Sequence, residues 1–136
     1  MSELMAYLMA TALKLSGLPP IDYTPPVLLV SPVEMTAIVC PENPLECRSV
    51  VSYFSMRHKL ILLRSDQDPE SNIGSSFILH EIIHAMQYEQ QGGMMYATCW
   101  LTIKTEQEAY RIQNQYLKDR GELYRAGIGI EWETCE

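Results

Sequence analysis

Apolar positions in the first part of the chain predict a helix followed by extended structure. Between residues 3 and 16 they share one helical face, and the pattern ends at Gly17, which predicts an amphipathic helix. The segment lacks a basic start and carries charged residues, so we interpret it as part of the mature domain and not as a signal peptide. A Pro-rich stretch over residues 18–32 predicts an extended crossing, and residues 33–39 have the composition of a strand.

Two β-rich runs further along the chain predict a hairpin. Residues 50–55 and 59–63 are rich in aliphatic, aromatic and β-branched side chains, and residues 56–58 lie at the turn between them. His58 falls in this turn and is not favoured as a metal ligand. Residues 60–63 are continuously apolar, which fits either an interior strand or an edge strand that pairs with an extended peptide.

The longest helical pattern runs from residue 71 to residue 91. Ser71 and Asn72 are available as N-terminal caps, apolar residues recur through the body, and Gly92 and Gly93 end the pattern. Apolar residues on most sides of this segment predict a largely buried helix.

Two histidines with an intervening glutamate lie in the middle of this helix. His80 and His84 are four residues apart, so a helix projects both imidazoles from one face and lets them share a metal ion. Imidazole nitrogen suits Zn²⁺, and catalytic zinc sites take three protein ligands and leave the fourth position for water. Glu81 is then placed to act as general base toward that water. The alternative is a pair of histidines that are only hydrogen-bonded, although buried polar groups are costly without a partner.

The next helical pattern offers two candidates for a third ligand. Glu106 and Glu108 both lie in the segment 104–117. Residues two apart are about 200° apart around a helix axis, so the two carboxylates cannot point the same way. Each shares a stripe with apolar residues, and periodicity alone does not separate them. Either glutamate could instead lie on a solvated face and pair with Lys104 or Arg111.

These motifs resemble the gluzincin type of zinc metallopeptidase. In that type the His-Glu-x-x-His helix is followed by a helical glutamate that supplies the third ligand, often before a small residue, and Glu108 followed by Ala109 matches this pattern. The chain is also similar to small bacterial exported zincin-like domains over residues 53–117, in the run 80–87 and in the helix motif Glu106-x-Glu108-Ala109-Tyr110-x-x-Gln113.

The resemblance implies an α+β fold, a minimal zincin-like domain in which a small sheet or hairpin packs on an active-site helix and a glutamate-bearing helix. It implies Zn²⁺ held by His80, His84 and Glu108, with Glu81 as the catalytic base. One departure concerns the position one turn after Glu108, where many gluzincins have a carboxylate that braces a histidine. This chain has Ile112 there, so the bracing hydrogen bonds must come from other residues.

Two tyrosines are candidates for the catalytic donor that stabilises an oxyanion. Tyr88 lies one turn beyond His84, and Tyr110 lies close to Glu108. Tyrosines at helical spacing are also common in cores and interfaces. Gln87 is a candidate for a hydrogen bond that orients a metal-binding histidine.

Length and charge restrict the function classes. The chain of 136 residues fits a single domain, residues 1–136, without room for a separate substrate-binding domain. Its net charge of −7 and the absence of a basic stripe argue against nucleic acid and anionic membrane surfaces as partners. The longest apolar stretches are shorter than the roughly 20 residues of a membrane span.

Four cysteines predict two disulfides. Cys40 and Cys47 bracket a proline-punctuated loop that a short disulfide would close, which leaves Cys99 to pair with Cys135. Such bonds would place the protein in the periplasm or outside the cell. Four separate thiols in a cytoplasmic protein are the alternative.

The sequence therefore predicts a zinc-dependent metallopeptidase that acts on a peptide or protein substrate. Two other classes stay open. One is a catalytically inactive, zinc-stabilised binding module derived from a peptidase. The other is a disulfide-stapled structural or inhibitory domain in which the histidine motif is incidental.

Overall fold

Four α-helices pack with a three-stranded sheet in residues 2–130 and 133–135, the part of the chain that the computed structural model describes. The elements are α1 (Ser2–Ser16), β1 (Val27–Val30), α2 (Pro32–Val39), β2 (Ser52–Ser55), β3 (Leu60–Arg64), α3 (Asn72–Gln91) and α4 (Cys99–Asp119). Two short 3-10 helices, Pro44–Cys47 and Gly92–Tyr96, precede β2 and α4. This architecture confirms the expected small α+β fold.

The sheet has the order β1-β3-β2, with β3 parallel to β1 and antiparallel to β2. Strands β2 and β3 form the predicted hairpin. Ile61 and Leu63 are fully buried and Leu62 is almost so, and β3 has a neighbouring strand on each side. Of the two roles left open for residues 60–63, the interior strand is correct, and β2 is an edge of the sheet.

Residues 33–39 form helix α2, and their expected strand character is wrong. Ser31 starts the helix: its hydroxyl accepts a hydrogen bond from the Glu34 amide at 3.1 Å, and Glu34 Oε1 accepts one from the Ser31 amide at 3.0 Å. Pro32 follows at the first helical position, where its missing N–H has no cost. This capping box outweighs the β-branched residues that suggested a strand.

Helix α3 is the centre of the molecule. Every residue from 78 to 87 is buried, and the helix packs against α1, α4, β2 and β3. It begins as predicted at Ser71, whose hydroxyl accepts from the Gly74 amide at 2.9 Å. It ends at Gly92, where the backbone φ of 61° suits a residue without a side chain.

The C-terminal tail runs back along α4 and is fixed at three points. Asn114 exchanges two hydrogen bonds with the backbone of Ala126, at 2.9 and 2.8 Å, and Gln107 donates to the Ile130 carbonyl at 3.2 Å. Cys99 and Cys135 are bonded, which fixes the end of the tail to the start of α4. The second disulfide, Cys40–Cys47, closes the loop after α2, so both expected pairings are confirmed. No helix among the described residues is long and apolar enough to cross a membrane.

The two disulfides should differ in their effect on stability. Cys99–Cys135 spans 36 residues and Cys40–Cys47 spans 7, and the longer closed loop restricts the unfolded chain more. We expect Cys99→Ser/Cys135→Ser to lower the free energy of unfolding by about 4 kcal/mol and Cys40→Ser/Cys47→Ser by roughly 2 kcal/mol. Urea unfolding of both double variants beside the wild type measures this, and the reverse order would contradict it.

Candidate metal centre

The histidine motif lies on the buried face of α3. His80, Glu81 and His84 are 5%, 4% and 4% exposed, so all three polar side chains depend on partners inside the protein. One helical turn separates the two imidazoles, and their Nε2 atoms are 3.0 Å apart. The helix therefore turns both rings toward the same point.

Helix α4 brings the carboxylate of Glu106 to that point. Glu106 Oε1 lies 3.2 Å from His80 Nε2 and 3.3 Å from His84 Nε2, and Oε2 lies 3.0 Å from His84 Nε2. The three residues offer ligand atoms that all lie within 4.8 Å of one another. This group of two imidazoles and one carboxylate could hold a metal ion.

Glu106 occupies the place that the resemblance to gluzincins implied for Glu108. The Glu108 carboxylate accepts a hydrogen bond from Gln87 Nε2 at 2.9 Å and is not part of the group. The physical reason is the rotation of α4 about its axis, because residues two apart point in different directions. Burial did not separate the two stripes, since Ile112 beside Glu108 and Leu117 beside Glu106 are both fully buried.

Gln87 fixes the orientation of His84. Gln87 Nε2 donates to the Thr105 carbonyl at 3.1 Å and to Glu108 Oε1, and these two acceptors determine which way the amide points. Gln87 Oε1 consequently faces His84 Nδ1 at 2.8 Å and accepts its proton. In neutral His84 the Nε2 lone pair is therefore free for a metal ion. Glu108 contributes by holding Gln87.

His80 is held by packing. Its Nδ1 atom is buried and has no hydrogen-bond partner among the described residues. The ring of Tyr110 lies against the imidazole, with the ring centroids 4.4 Å apart. Gly127 in the tail packs so closely on Tyr110 that a Cβ there would overlap the ring. Tyr110 therefore lies close to the group formed by His80, His84 and Glu106, as expected, and is one turn after Glu106.

Tyr96 lies beside the group formed by His80, His84 and Glu106, in the position that was expected for Tyr88. Its hydroxyl donates to Glu106 Oε2 at 3.3 Å and lies 3.5 Å from His84 Nδ1. Tyr88 instead packs on Phe54, with the ring centroids 6.2 Å apart, and does not line the cleft. Tyr96 was not among the predicted site residues, because the short helix Gly92–Tyr96 folds the chain back toward His84 and no periodic pattern signals that reversal.

The three residues of the group line an open cleft of about 630 Å³. The same cleft is lined by Glu81, by β2 with the residues before it, by Tyr110 and by the tail at Tyr124 and Gly127. Ser52 of β2 donates a hydrogen bond to Glu81 Oε2 at 2.6 Å. A water or a substrate in this cleft can therefore reach the metal group and a buried carboxylate together.

The charges in the group support one another. Burial alone would lower the pKa of His84, but the hydrogen bond with Glu106 and the negative charges of Glu81 and Glu106 raise it to about 9. Burial alone would raise the pKa of Glu106, whereas the hydrogen bonds and charges of the two histidines hold it well below its usual range. Without a metal ion, His84 and Glu106 consequently form a charged pair at neutral pH.

Comparison of the chain with protein-family models, with curated proteins and with solved structures finds no match. The resemblance to gluzincins therefore stays a prediction that depends on the motif and on the geometry of this cleft.

Divalent metal binding should distinguish the two glutamates. Loss of a residue that only orients a metal ligand typically weakens metal binding by roughly 10- to 100-fold. We expect Glu106→Gln to weaken binding by well over that range, because a direct ligand is lost. Glu108→Gln should cost no more than that range, since it disturbs only the support of Gln87. Titration calorimetry with Zn²⁺ and Co²⁺ on the two variants tests this. Equal losses, or a larger loss for Glu108→Gln, would return Glu108 to the ligand set.

Stability of the chelated protein should fall with rising pH. The pKa of His84 is raised from 6.5, the value for the unfolded chain, to about 9 in the folded protein. The stabilisation that this shift provides is therefore complete below pH 6.5 and is lost as the pH rises through about 9. We expect a loss on the order of 3 kcal/mol across this window. The pKa of Glu106 is lowered, so its contribution to the free energy of unfolding is fully present above pH 4.5 and is lost only in acid.

Urea unfolding in a chelator at several pH values measures this slope. His84→Gln is the control and should lack most of it, because no proton is then exchanged at that position. A wild-type free energy of unfolding that stays level through this window would contradict the charged pair.

Proposed function

We propose that this protein is a zinc-dependent metallopeptidase that hydrolyses peptide bonds, with His80, His84 and Glu106 as metal ligands and Glu81 as general base. The observation that carries the proposal is the convergence of three donor atoms beside a buried carboxylate in an open cleft. A binding site for metal alone would have no need of a carboxylate directly after the first histidine.

The donor set fits zinc. Two imidazole nitrogens and a carboxylate oxygen are one of the ligand sets that catalytic zinc sites use. Ligands at about 2.0–2.1 Å from a tetrahedral ion lie roughly 3.3 Å from one another. The corresponding separations between Nε2 and carboxylate oxygen atoms here are 3.0 to 3.3 Å. Three protein ligands leave a fourth position, which would face the cleft.

The chemistry divides between the ion and the protein. When bound, Zn²⁺ supplies Lewis acidity that polarises the scissile carbonyl and makes a water more acidic. Glu81 accepts the proton of the attacking water and delivers it to the leaving amine. Its position next to His80 on α3 places the carboxylate beside the ligands, within the same cleft.

Two tyrosine hydroxyls are available to stabilise the oxyanion, those of Tyr96 and Tyr110. Burial and the charges of Glu106 and Glu81 raise the pKa of Tyr110 to about 12, and the same causes raise the pKa of Tyr96 further. Both hydroxyls therefore stay protonated at neutral pH and can donate hydrogen bonds. The Tyr96 hydroxyl donates to Glu106 Oε2 in this structure, so it would have to turn from that carboxylate to donate to an oxyanion.

The substrate is a peptide or an extended segment of a protein. Residues 49–54, which include most of edge strand β2, line one wall of the cleft. An extended chain can add to such an edge through backbone hydrogen bonds and lie across His80, His84 and Glu106. The two disulfides favour an oxidising compartment, so we place this activity in the periplasm or outside the cell.

A zinc-stabilised binding module is the second candidate. It is favoured by the Nδ1 atom of His80, which has no hydrogen-bond partner within residues 2–130 and 133–135, and by the presence of Tyr110, not a carboxylate, one turn after Glu106. A metal-binding histidine normally donates its second N–H to a carboxylate, carbonyl or water. Such a module would bind zinc and peptides but would not cleave them.

Metal content and turnover in one set of variants test both candidates. We expect about one zinc per chain in the wild type and its loss in His84→Ala, because the remaining two ligands hold the ion weakly. Glu81→Gln should keep the zinc and the melting temperature but lose about 10²- to 10⁴-fold in kcat against a peptide library.

Each result has one meaning. Zinc with cleavage that Glu81→Gln abolishes supports the peptidase. Zinc without cleavage in the wild type supports the binding module. Failure of the wild type to take up zinc after reconstitution would sink both.

A further inference from the structure

The general base proposed above is fixed by a residue on another element. Ser52 Oγ donates to Glu81 Oε2 at 2.6 Å, across a sequence separation of 29 residues. Glu81 itself is only 4% exposed. A hydrogen bond from a hydroxyl to a carboxylate is stronger than one between neutral groups.

The two carboxylate oxygens of Glu81 have different surroundings. Oε2 accepts a hydrogen bond from Ser52, whereas Oε1 accepts none from another described residue. Glu81 lines the cleft together with His80 and His84. The contact with Ser52 therefore leaves Oε1 as the carboxylate oxygen that is not engaged by another described residue.

Ser52 is itself rigidly placed. It begins β2 and pairs with Leu63 of the central strand, whose side chain is fully buried. The hydroxyl is thus held by the sheet, and α3 carries the carboxylate. Side chains that lie between two packed elements keep their geometry better than side chains on a free loop.

We propose that Ser52 is a positioning residue, which holds Glu81 Oε2 so that Oε1 faces the reacting water. The kinetic part of this inference rests on the proposed peptidase activity. The hydrogen bond between Ser52 and Glu81 is a separate claim that can be tested without activity.

The kinetic test compares Ser52→Ala with Ser52→Thr and with a matched serine-to-alanine control outside the cleft. We expect Ser52→Ala to lower kcat by roughly ten- to a hundred-fold with KM nearly unchanged, because the base is misplaced but the substrate still binds. Ser52→Thr retains a hydroxyl and should restore most of kcat. Ser16→Ala removes a hydroxyl that accepts from the Leu18 amide at 3.0 Å at the end of α1, outside the cleft, and should leave kcat unchanged.

The second test uses the metal-free protein and needs no substrate. The melting temperature is measured for the wild type, Ser52→Ala, Glu81→Ala and the double variant. If the two side chains interact, Ser52→Ala lowers the melting temperature by several degrees in the wild type and by clearly less in the Glu81→Ala background. Zinc content of Ser52→Ala should equal that of the wild type, since no ligand is changed.

The outcomes separate this inference from the proposed function. Loss of kcat in Ser52→Ala, its return in Ser52→Thr and non-additive melting support the positioning role. An active wild type whose kcat is unaffected by Ser52→Ala overturns the role and leaves the peptidase standing. If the zinc-loaded wild type is inactive, the proposed peptidase activity fails and only the melting temperatures test the contact between Ser52 and Glu81. Additive shifts in melting temperature then overturn the contact. Non-additive shifts retain it as the support of a buried carboxylate.

Discussion

Contact between α3 and α4 brings two buried imidazoles and a half-buried carboxylate together, and each depends on the others for its polar partners. His80 and His84 are almost fully buried, and Glu106 reaches both from the neighbouring helix. Polar groups without partners are costly in such a place, so the rotation of α4 about its axis is strongly constrained. The same arrangement directs three donor atoms to one point. The requirement to satisfy buried charge and the capacity to bind a metal ion are therefore met by the same three side chains.

A second set of contacts orients these side chains, and each contact comes from a different element. Gln87 holds His84, Ser52 of β2 holds Glu81, and the short helix before α4 brings Tyr96 to Glu106. The tail, fixed along α4 by Asn114 and by the Cys99–Cys135 bond, also lines the cleft. The site consequently depends on the whole fold and not on α3 alone, because a small domain has few elements and most of them border the cleft.

Local signals in the sequence were enough for much of the fold. Helix α3 was defined by Ser71 at its start and Gly92 at its end, and the hairpin by two apolar runs on either side of a turn. Both disulfides followed from the spacing of Cys40 and Cys47. The error over residues 33–39 was also local: the sequence holds both β-branched residues and the capping box formed by Ser31 and Glu34, and the capping box decides the structure.

The sequence by itself determined that two histidines and a glutamate share a helix, because their spacing is a property of the helix alone. Only the tertiary structure decided which residues meet them. Glu106 replaces Glu108 because packing sets the rotation of α4, and Tyr96 replaces Tyr88 because the chain folds back between the two helices. Ser52 is brought to Glu81 by the position of the sheet on α3. Contacts between residues distant along the chain depend on how the elements pack, and no periodicity within a single element records that packing.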